Sequence, residues 1–97
     1  MDNYLTIKQK LAGLKHQLIT DFQIKEIGIF GSYIRNEQNE NSDLDVLIDF
    51  TQYPGMFKFV RLENYLTQQL GVKVDLVLRT ALKPKIGKHI LSEVVMI

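Results

Sequence analysis

The sequence predicts a small α/β (α+β) fold, in which a mixed β-sheet carries helices mainly on one face. Two long stretches place apolar residues at spacings of three and four, which is the helical period. Three short stretches are rich in β-branched residues, and two of them alternate apolar with other residues, as strands do. Turn signals separate these stretches, and 97 residues suffice for one domain, predicted over residues 1–97.

The first element is predicted to be a helix of about five turns. Asp2 or Asn3 is suited to cap its start, and Thr20-Asp21 is predicted to end it. One apolar stripe along this helix is predicted to face the core: Tyr4, Ile7, Leu11, Leu14 and Leu18.

The next segment is predicted to be a strand, turn and strand. Ile24–Phe30 reads as the first strand and ends at Gly31, which allows a tight turn. Ser32–Arg35 suffices for one helical turn, and residues 36–42 form a polar loop with no apolar anchor. Asp43–Phe50 is predicted to be the second strand, because its apolar residues alternate with acidic ones.

The second half of the chain predicts a helix, a strand and a final helix. The second helix covers Met56–Leu70 and stops at Gly71. A third strand covers Val72–Leu78, and Pro84 opens the last helix. The terminal residues 94–97 are predicted to add a short strand or to cover the core.

Composition excludes several classes of protein. Twelve Lys and Arg against eleven Asp and Glu give a formal charge of +1, whereas proteins that coat nucleic acid are usually distinctly basic. Without cysteine there is no disulfide, thiolate nucleophile or cysteine-bound zinc. The sequence shows no apolar signal-peptide core and no run of about 20 apolar residues. We therefore expect a cytoplasmic protein.

Acidic residues on the predicted strands indicate a metal site. Asp43 and Asp45 lie two apart and therefore share one face of their strand, and Asp75 has an equivalent place in the third strand. If these strands are neighbours, three carboxylates converge. Such carboxylates are typical ligands of Mg²⁺, although a solvated strand start is the commoner role of an isolated Asp-x-Asp. Asp49 shares the face and is either a further ligand or exposed at the far end.

The turn after the first strand is suited to bind an anion. Gly31 and Ser32 leave room for a phosphate to approach backbone N–H groups and a hydroxyl. Arg35 offers a forked donor to a phosphate oxygen, or alternatively pairs with Glu37 or Glu40. Ser42 either belongs to this site or simply caps a turn.

A basic stretch occupies the last part of the chain, with no acidic residue between Asp75 and Glu93. Such a run is usually a solvated helix face. Alternatively, it docks an acidic partner or a triphosphate. Its members are Arg79, Lys83, Lys85 and Lys88.

Gly31–Phe50, with the sequence GSYIRNEQNENSDLDVLIDF, resembles the minimal nucleotidyltransferases of the DNA polymerase β-like superfamily. That family has a Gly-Ser turn, an Arg three residues later, a polar loop, Ser-Asp-x-Asp and a later Asp on a strand, which VDLVL supplies here as Asp75. The resemblance covers nearly the whole chain and implies the polymerase β-like fold. Two departures, Ile34 and Asn36, replace the small residue and the glycine that the family often has near this Arg.

The resemblance implies transfer of AMP from ATP to a hydroxyl, expected to be a tyrosine of a partner HEPN-domain toxin, with this chain as the antitoxin in a hetero-oligomer. No membrane and no direct nucleic-acid binding are expected. Asp43, Asp45 and Asp75 would be the catalytic residues and would hold two Mg²⁺ ions. The expected nucleotide-binding residues are Gly31, Ser32, Arg35 and Ser42.

Two other functions remain open at the level of sequence. The chain is alternatively a catalytically silent module that neutralises a toxin by binding it. Transfer to a small-molecule or RNA hydroxyl is a third possibility, although the short chain leaves little for an acceptor pocket. The intact carboxylates favour the enzyme, because a purely binding surface has no need of three like charges in one place.

Overall fold

The computed structural model describes residues 3–97 and has the predicted order of helices and strands. Asp2, one of the two predicted caps, lies outside the described residues. The second strand begins one residue later than predicted and the third two residues later. The elements are α1 (Tyr4–Phe22), β1 (Ile24–Phe30), a 3-10 turn (Gly31–Tyr33), β2 (Leu44–Phe50), α2 (Met56–Leu70), β3 (Val74–Leu78), a second 3-10 turn (Arg79–Ala81), α3 (Pro84–Glu93) and β4 (Val95–Met96).

Helix α1 is closed at both ends by local hydrogen bonds. The Asn3 side chain accepts the N–H of Thr6 at 3.0 Å, as an N-cap does. The predicted break at Thr20-Asp21 was wrong, because the helix runs on to the buried Phe22. Gln23 then adopts φ 60 and donates its N–H to the Ile19 carbonyl. Within residues 3–97, no helix is long and apolar enough to cross a membrane.

The sheet is mixed, with the strand order β3-β2-β1-β4. β1 runs antiparallel to both β2 and β4, whereas β2 and β3 are parallel. The second and third strands are therefore neighbours, which was the condition for the three carboxylates to converge. The register of the strands brings Asp45 directly opposite Asp75 on one side and Phe30 on the other.

Two of the three helices cover one face of the sheet, as predicted. Leu44, Val46 and Ile48 of β2 are fully buried there against α1 and α2. The intervening residues of β2 point to the opposite face, because side chains alternate along a strand. On that face Ile90 of α3 packs with Phe30 and Leu47 in a smaller cluster. The acidic residues of β2 therefore share a face with α3.

Helix α2 also covers the free edge of β3. The Thr67 hydroxyl accepts the N–H of Val74 at 3.1 Å, and the Glu63 carboxylate accepts the N–H of Leu76 at 2.9 Å. Unpaired N–H groups on an edge strand otherwise invite pairing with another chain. Two side chains of α2 thus satisfy backbone donors of the strand that carries Asp75.

Candidate functional site

The three predicted carboxylates lie at one end of the sheet. Asp43 directly precedes β2, Asp45 is its second residue, and Asp75 is the second residue of β3. The parallel register makes Asp45 and Asp75 direct neighbours. Alternation along the strands places both side chains on the face that α3 partly covers. The three sequence positions are therefore brought together by a pairing of strands that the chain order alone left open.

Asp45 occupies an environment that disfavours its charge. Its pKa is raised from 3.8 to about 6, chiefly by partial burial and in addition by the neighbouring carboxylates of Asp75 and Asp43. The positive charge of Arg35 opposes this effect, and Glu93 adds to it. A cation bound among these groups would relieve the crowding of like charges.

The three carboxylates lie near one another but do not form a preformed metal-binding cage. In the part of the chain that the structure describes, no group of three or more Asp, Glu, His or Cys side chains is arranged to hold a metal ion. Asp43, Asp45 and Asp75 thus meet at one end of the sheet without forming such a group.

Gly31 is required at the end of β1 by the position of Asp45. The backbone has φ +79 there, and a Cβ atom would overlap Oδ2 of Asp45 and lie 3.0 Å from its Cγ. A residue with a side chain would therefore be strained in the backbone and would displace the carboxylate. The predicted tight turn is confirmed, and its glycine also makes room for Asp45.

The turn after Gly31 is a compact 3-10 turn, starting one residue earlier than the predicted helical turn. The Gly31 carbonyl accepts the N–H groups of Ile34 and Arg35 at 3.1 and 3.2 Å. Asn36 follows with φ 57, in the region that glycine prefers and that Asn tolerates better than most residues. Ile34 packs against the main core. The two departures from the family pattern therefore preserve a turn that glycine would also form.

Arg35 is held by two carboxylates. Its Nε donates to Glu37 at 3.2 Å, and its Nη1 donates to both carboxylate oxygens of Glu93 at 3.0 Å. The hydrogen bond with Glu93 is the largest cause of a raised Arg35 pKa. The pairing with Glu37 was one of the alternatives considered, whereas no bond to Glu40 is formed within residues 3–97.

Glu93 is a residue of this site that the sequence analysis missed. Besides binding Arg35, its Oε1 accepts the backbone N–H of Gly31 at 3.2 Å. No local pattern signals this role, because Glu93 lies at the end of α3 and 58 residues from Arg35. Glu93 also contributes to the raised pKa of Asp45, so its charge acts on that aspartate.

The two serines differ in their surroundings. Ser42 forms a turn, since its hydroxyl accepts the N–H of Asn39 at 3.0 Å and its own N–H donates to the Asn39 carbonyl. The Ser32 hydroxyl makes no hydrogen bond to any residue that the structure describes. Because it has no such partner, the Ser32 hydroxyl is available to a ligand. Ser42 and Asp43, by contrast, line an open cleft of about 690 Å³, which residues 71–73 close on the other side.

Asp49 and the first residue of the basic stretch lie away from this site. Asp49 is four residues along β2 from Asp45, which corresponds to about 13 Å. Its carboxylate accepts the N–H of Phe50 at 3.0 Å. Arg79 directly follows β3, at the end of the sheet where Asp49 lies and opposite the end with the three aspartates. Its guanidinium binds the carboxylate of Glu26 in β1 at 2.8 Å. Neither side chain is placed to join the three aspartates.

Comparison of the sequence with known proteins gives a consistent result. The model of the family described as the nucleotidyltransferase domain matches residues 11–97. A Thermococcus cleftensis protein named protein adenylyltransferase MntA is 47% identical over 89 residues, covering 92% of this chain and 90% of its own. The Methanocaldococcus jannaschii protein MJ0128, a proposed protein adenylyltransferase, is 47% identical over 90 residues and is matched over 92% of both chains.

Solved structures share the fold. The structure of a proposed minimal nucleotidyltransferase superposes with a TM-score of 0.80 at 32% identity, over 98% of this chain and 95% of the other. A chain of a toxin-antitoxin complex with AMP-PNP superposes with a TM-score of 0.75, over 91% of this chain and 69% of the other. Its identity is 23%, so the likeness concerns the fold alone.

Proposed function

The chain belongs to the nucleotidyltransferase domain family, and we propose that it transfers AMP from ATP to a hydroxyl group of a partner protein and releases pyrophosphate. The observation that carries this proposal is the register of β2 and β3. It sets Asp45 opposite Asp75, with Asp43 directly before the same strand and Arg35 close enough to affect the pKa of Asp45. The aspartates and the guanidinium of Arg35, a group suited to bind phosphate, thus lie side by side.

The aspartates fit a divalent cation. Mg²⁺ usually takes one or two protein carboxylates and completes its shell with water and substrate phosphate, so a closed cage of three is not needed. The crowding that raises the pKa of Asp45 is the kind of repulsion that a cation relieves. Asp43 and Asp45 would hold one or two Mg²⁺ ions, and Asp75 would share the second. Bound there, Mg²⁺ would offset the charge of the triphosphate and of the attacking and leaving oxygens.

The groups around Gly31 would hold the triphosphate. The free hydroxyl of Ser32 and the guanidinium of Arg35 are donors that suit phosphate oxygens. Ser42 would contribute through the turn that it forms with Asn39, beside Asp43. We assign these residues to the β- and γ-phosphates, which leave together as pyrophosphate.

The reaction then needs a hydroxyl in line with the leaving group. The hydroxyl oxygen attacks the α-phosphorus, and the bond from that phosphorus to the bridging oxygen of pyrophosphate breaks. We assign to Asp75 the roles of orienting the hydroxyl and accepting its proton; its position across from Asp45 on the neighbouring strand supports this. AMP becomes joined to the acceptor oxygen through a phosphodiester bond.

A protein partner would supply the acceptor. The relative from Thermococcus cleftensis is named a protein adenylyltransferase, and a structure of the same fold is a toxin-antitoxin complex with AMP-PNP. We propose that this chain is likewise an antitoxin and that the acceptor is a tyrosine of a HEPN-type toxin, with which it forms a hetero-oligomer. The cytoplasmic location expected from the sequence stays a prediction.

Label transfer tests the proposal directly. The chain is incubated with α-labelled ATP, Mg²⁺ and the toxin encoded beside it. We expect label on the toxin with the natural chain and with Asp49→Ala, which alters the same strand outside the site. Asp43→Ala/Asp45→Ala should transfer none. Neutralisation of the toxin by this double variant, without label, would instead favour the catalytically silent binding module.

Substitution of Asp75 tests whether ATP binding and the transfer step depend on different aspartates. We expect Asp75→Asn to lower the rate of transfer while largely sparing ATP binding, because its role is at the acceptor. The measurement compares turnover with the Kd for ATP in Mg²⁺. An equal loss of ATP affinity in Asp75→Asn and Asp43→Asn would contradict this division of roles.

A further inference from the structure

We propose that Glu93 is a positioning residue for nucleotidyl transfer, which fixes the guanidinium of Arg35 and the Gly31 turn in the geometry that receives the triphosphate. This inference rests on the proposed function, because it concerns the same nucleotide site. It adds to that site a residue from the last turn of α3, distant in sequence from the Gly-Ser motif.

The contacts of Glu93 join two parts of the phosphate site. One carboxylate oxygen accepts the N–H of Gly31, and both accept from Nη1 of Arg35. A bond to a charged group is shorter and stronger than a neutral one, and two oxygens on one nitrogen fix its orientation. Glu93 therefore ties the start of the turn to the side chain that follows four residues later.

The hydrogen bonds of Arg35 leave one nitrogen for a ligand. Nε is used by Glu37 and Nη1 by Glu93, whereas Nη2 has no hydrogen bond to the described residues. The Arg35 side chain as a whole is 43% exposed, which leaves room for a ligand to approach the guanidinium. A guanidinium that Glu93 already fixes through Nη1 loses less conformational freedom when Nη2 binds a ligand.

Glu93 is better placed for this role than Glu37. Its side chain is only 17% exposed, compared with 62% for Glu37. An exposed ion pair contributes little, because water competes for both partners. Glu37 also makes no contact with Gly31 in the described residues, so it offers a matched control on the same guanidinium.

The negative charge of Glu93 raises the question of competition with the triphosphate. Glu93 adds to the carboxylates that raise the pKa of Asp45, and an isolated acid here would repel a phosphate. Both of its oxygens, however, accept from Nη1 of Arg35, whose positive charge offsets that of Glu93, whereas the second partner Glu37 is largely exposed to water. The positioning effect is therefore expected to outweigh the repulsion.

The test compares Glu93→Gln with Glu37→Gln. A Gln side chain keeps the size of Glu but replaces one acceptor oxygen by a donor, so it cannot accept from Arg35 with two oxygens. We expect Glu93→Gln to weaken binding of MgATP and raise its KM about tenfold, equivalent to about 1.4 kcal/mol, with kcat changed less than KM. Glu37→Gln should change both by less than about twofold.

A double-mutant cycle shows whether the effect passes through Arg35. In an Arg35→Gln background, Glu93→Gln should cause no further loss of MgATP affinity. Binding is measured by calorimetry without the partner protein, so it does not depend on the acceptor. The NMR signal of the Arg35 Nη1–H groups, which Glu93 binds and should protect from exchange, gives a second measurement and should broaden in Glu93→Gln but not in Glu37→Gln.

Three results would overturn the proposal. Unchanged or tighter MgATP binding in Glu93→Gln would mean that Glu93 is a bystander or a competitor. Full additivity in the cycle would mean that it acts without Arg35. If Arg35→Gln itself binds MgATP normally, the nucleotide role given to Arg35 under the proposed function fails, and the positioning role fails with it.

Discussion

Replacing Gly31 by alanine is expected to destabilise the fold more than an ordinary substitution at positive φ. The backbone at Gly31 has φ +79, where a residue with a Cβ costs about 1–2 kcal/mol. The added Cβ would also overlap Oδ2 of Asp45 and approach its Cγ to 3.0 Å. Forcing Asp45 aside adds about 1–3 kcal/mol, by analogy with an overpacked site. We expect Gly31→Ala to lower the free energy of unfolding by about 2–5 kcal/mol in total.

Gly71 offers a matched control within the same chain. Its φ is +73, yet nothing lies within 4 Å of the position that a Cβ would take. Gly71→Ala therefore carries the backbone cost alone, about 1–2 kcal/mol. Both variants are measured by urea unfolding at constant pH, with the unfolding slope checked for equality. The difference between them isolates the contact with Asp45.

A double-mutant cycle assigns that contact to the carboxylate. Asp45→Ala removes Oδ2 and Cγ and leaves only Cβ of residue 45, at 3.2 Å from the added atom. In this background Gly31→Ala should cost little more than Gly71→Ala, which gives a coupling of about 1–3 kcal/mol. The reasoning is refuted if Gly31→Ala is no worse than Gly71→Ala, or if Asp45→Ala gives no relief.

Three further predictions concern stability. Because the pKa of Asp45 is raised from 3.8 to about 6, the favourable contribution of its protonated form should be complete below pH 3.8 and lost as pH rises through about 6. Asp45→Asn should therefore flatten the pH dependence between these values and stabilise the metal-free protein at pH 7 by about 1–2 kcal/mol, after allowing for solvent screening. Asn36→Gly should be nearly neutral at φ 57, whereas Asn36→Val should cost about 1–2 kcal/mol in thermal or urea unfolding. Glu63→Ala leaves the N–H of Leu76 without its acceptor and should cost about 1–3 kcal/mol, while Glu63→Gln should retain most of the stability.

The face of each acidic residue could be predicted from the sequence, because alternation along a strand needs no knowledge of the fold. Asp43 and Asp45 were assigned to one side of β2, and the burial of Leu44, Val46 and Ile48 on the other side agrees. That β3 lies beside β2 remained a condition in the sequence analysis. The register that sets Asp45 against Asp75 depends on tertiary packing and came only from the structure.

Features of the site that depend on long-range contacts could not be predicted. Glu93 ends a helix and has no repeated spacing, so nothing near it indicates a partner on the far side of the sequence. The end of α1 was misplaced for a related reason. Thr20-Asp21 is locally a weak helical pair, but burial of Phe22 extends the helix past it. In both cases packing decided what local propensity left open.

Gly28 within β1 and Gly31 directly after it connect the last residues to the site, although the sequence suggested only a turn at Gly31. At Gly28 a Cβ would lie 2.7 Å from Cγ2 of Val94 and 2.9 Å from Sδ of Met96. The missing side chain lets β4 pair closely with β1, opposite Gly28. Because β4 begins two residues after Glu93, this docking also fixes where α3 ends. Gly28 thereby places Glu93 within reach of the Gly31 N–H, and Gly31 in turn admits Asp45. The last residues of the chain thus take part in shaping a site whose recognisable motif lies within residues 31–50.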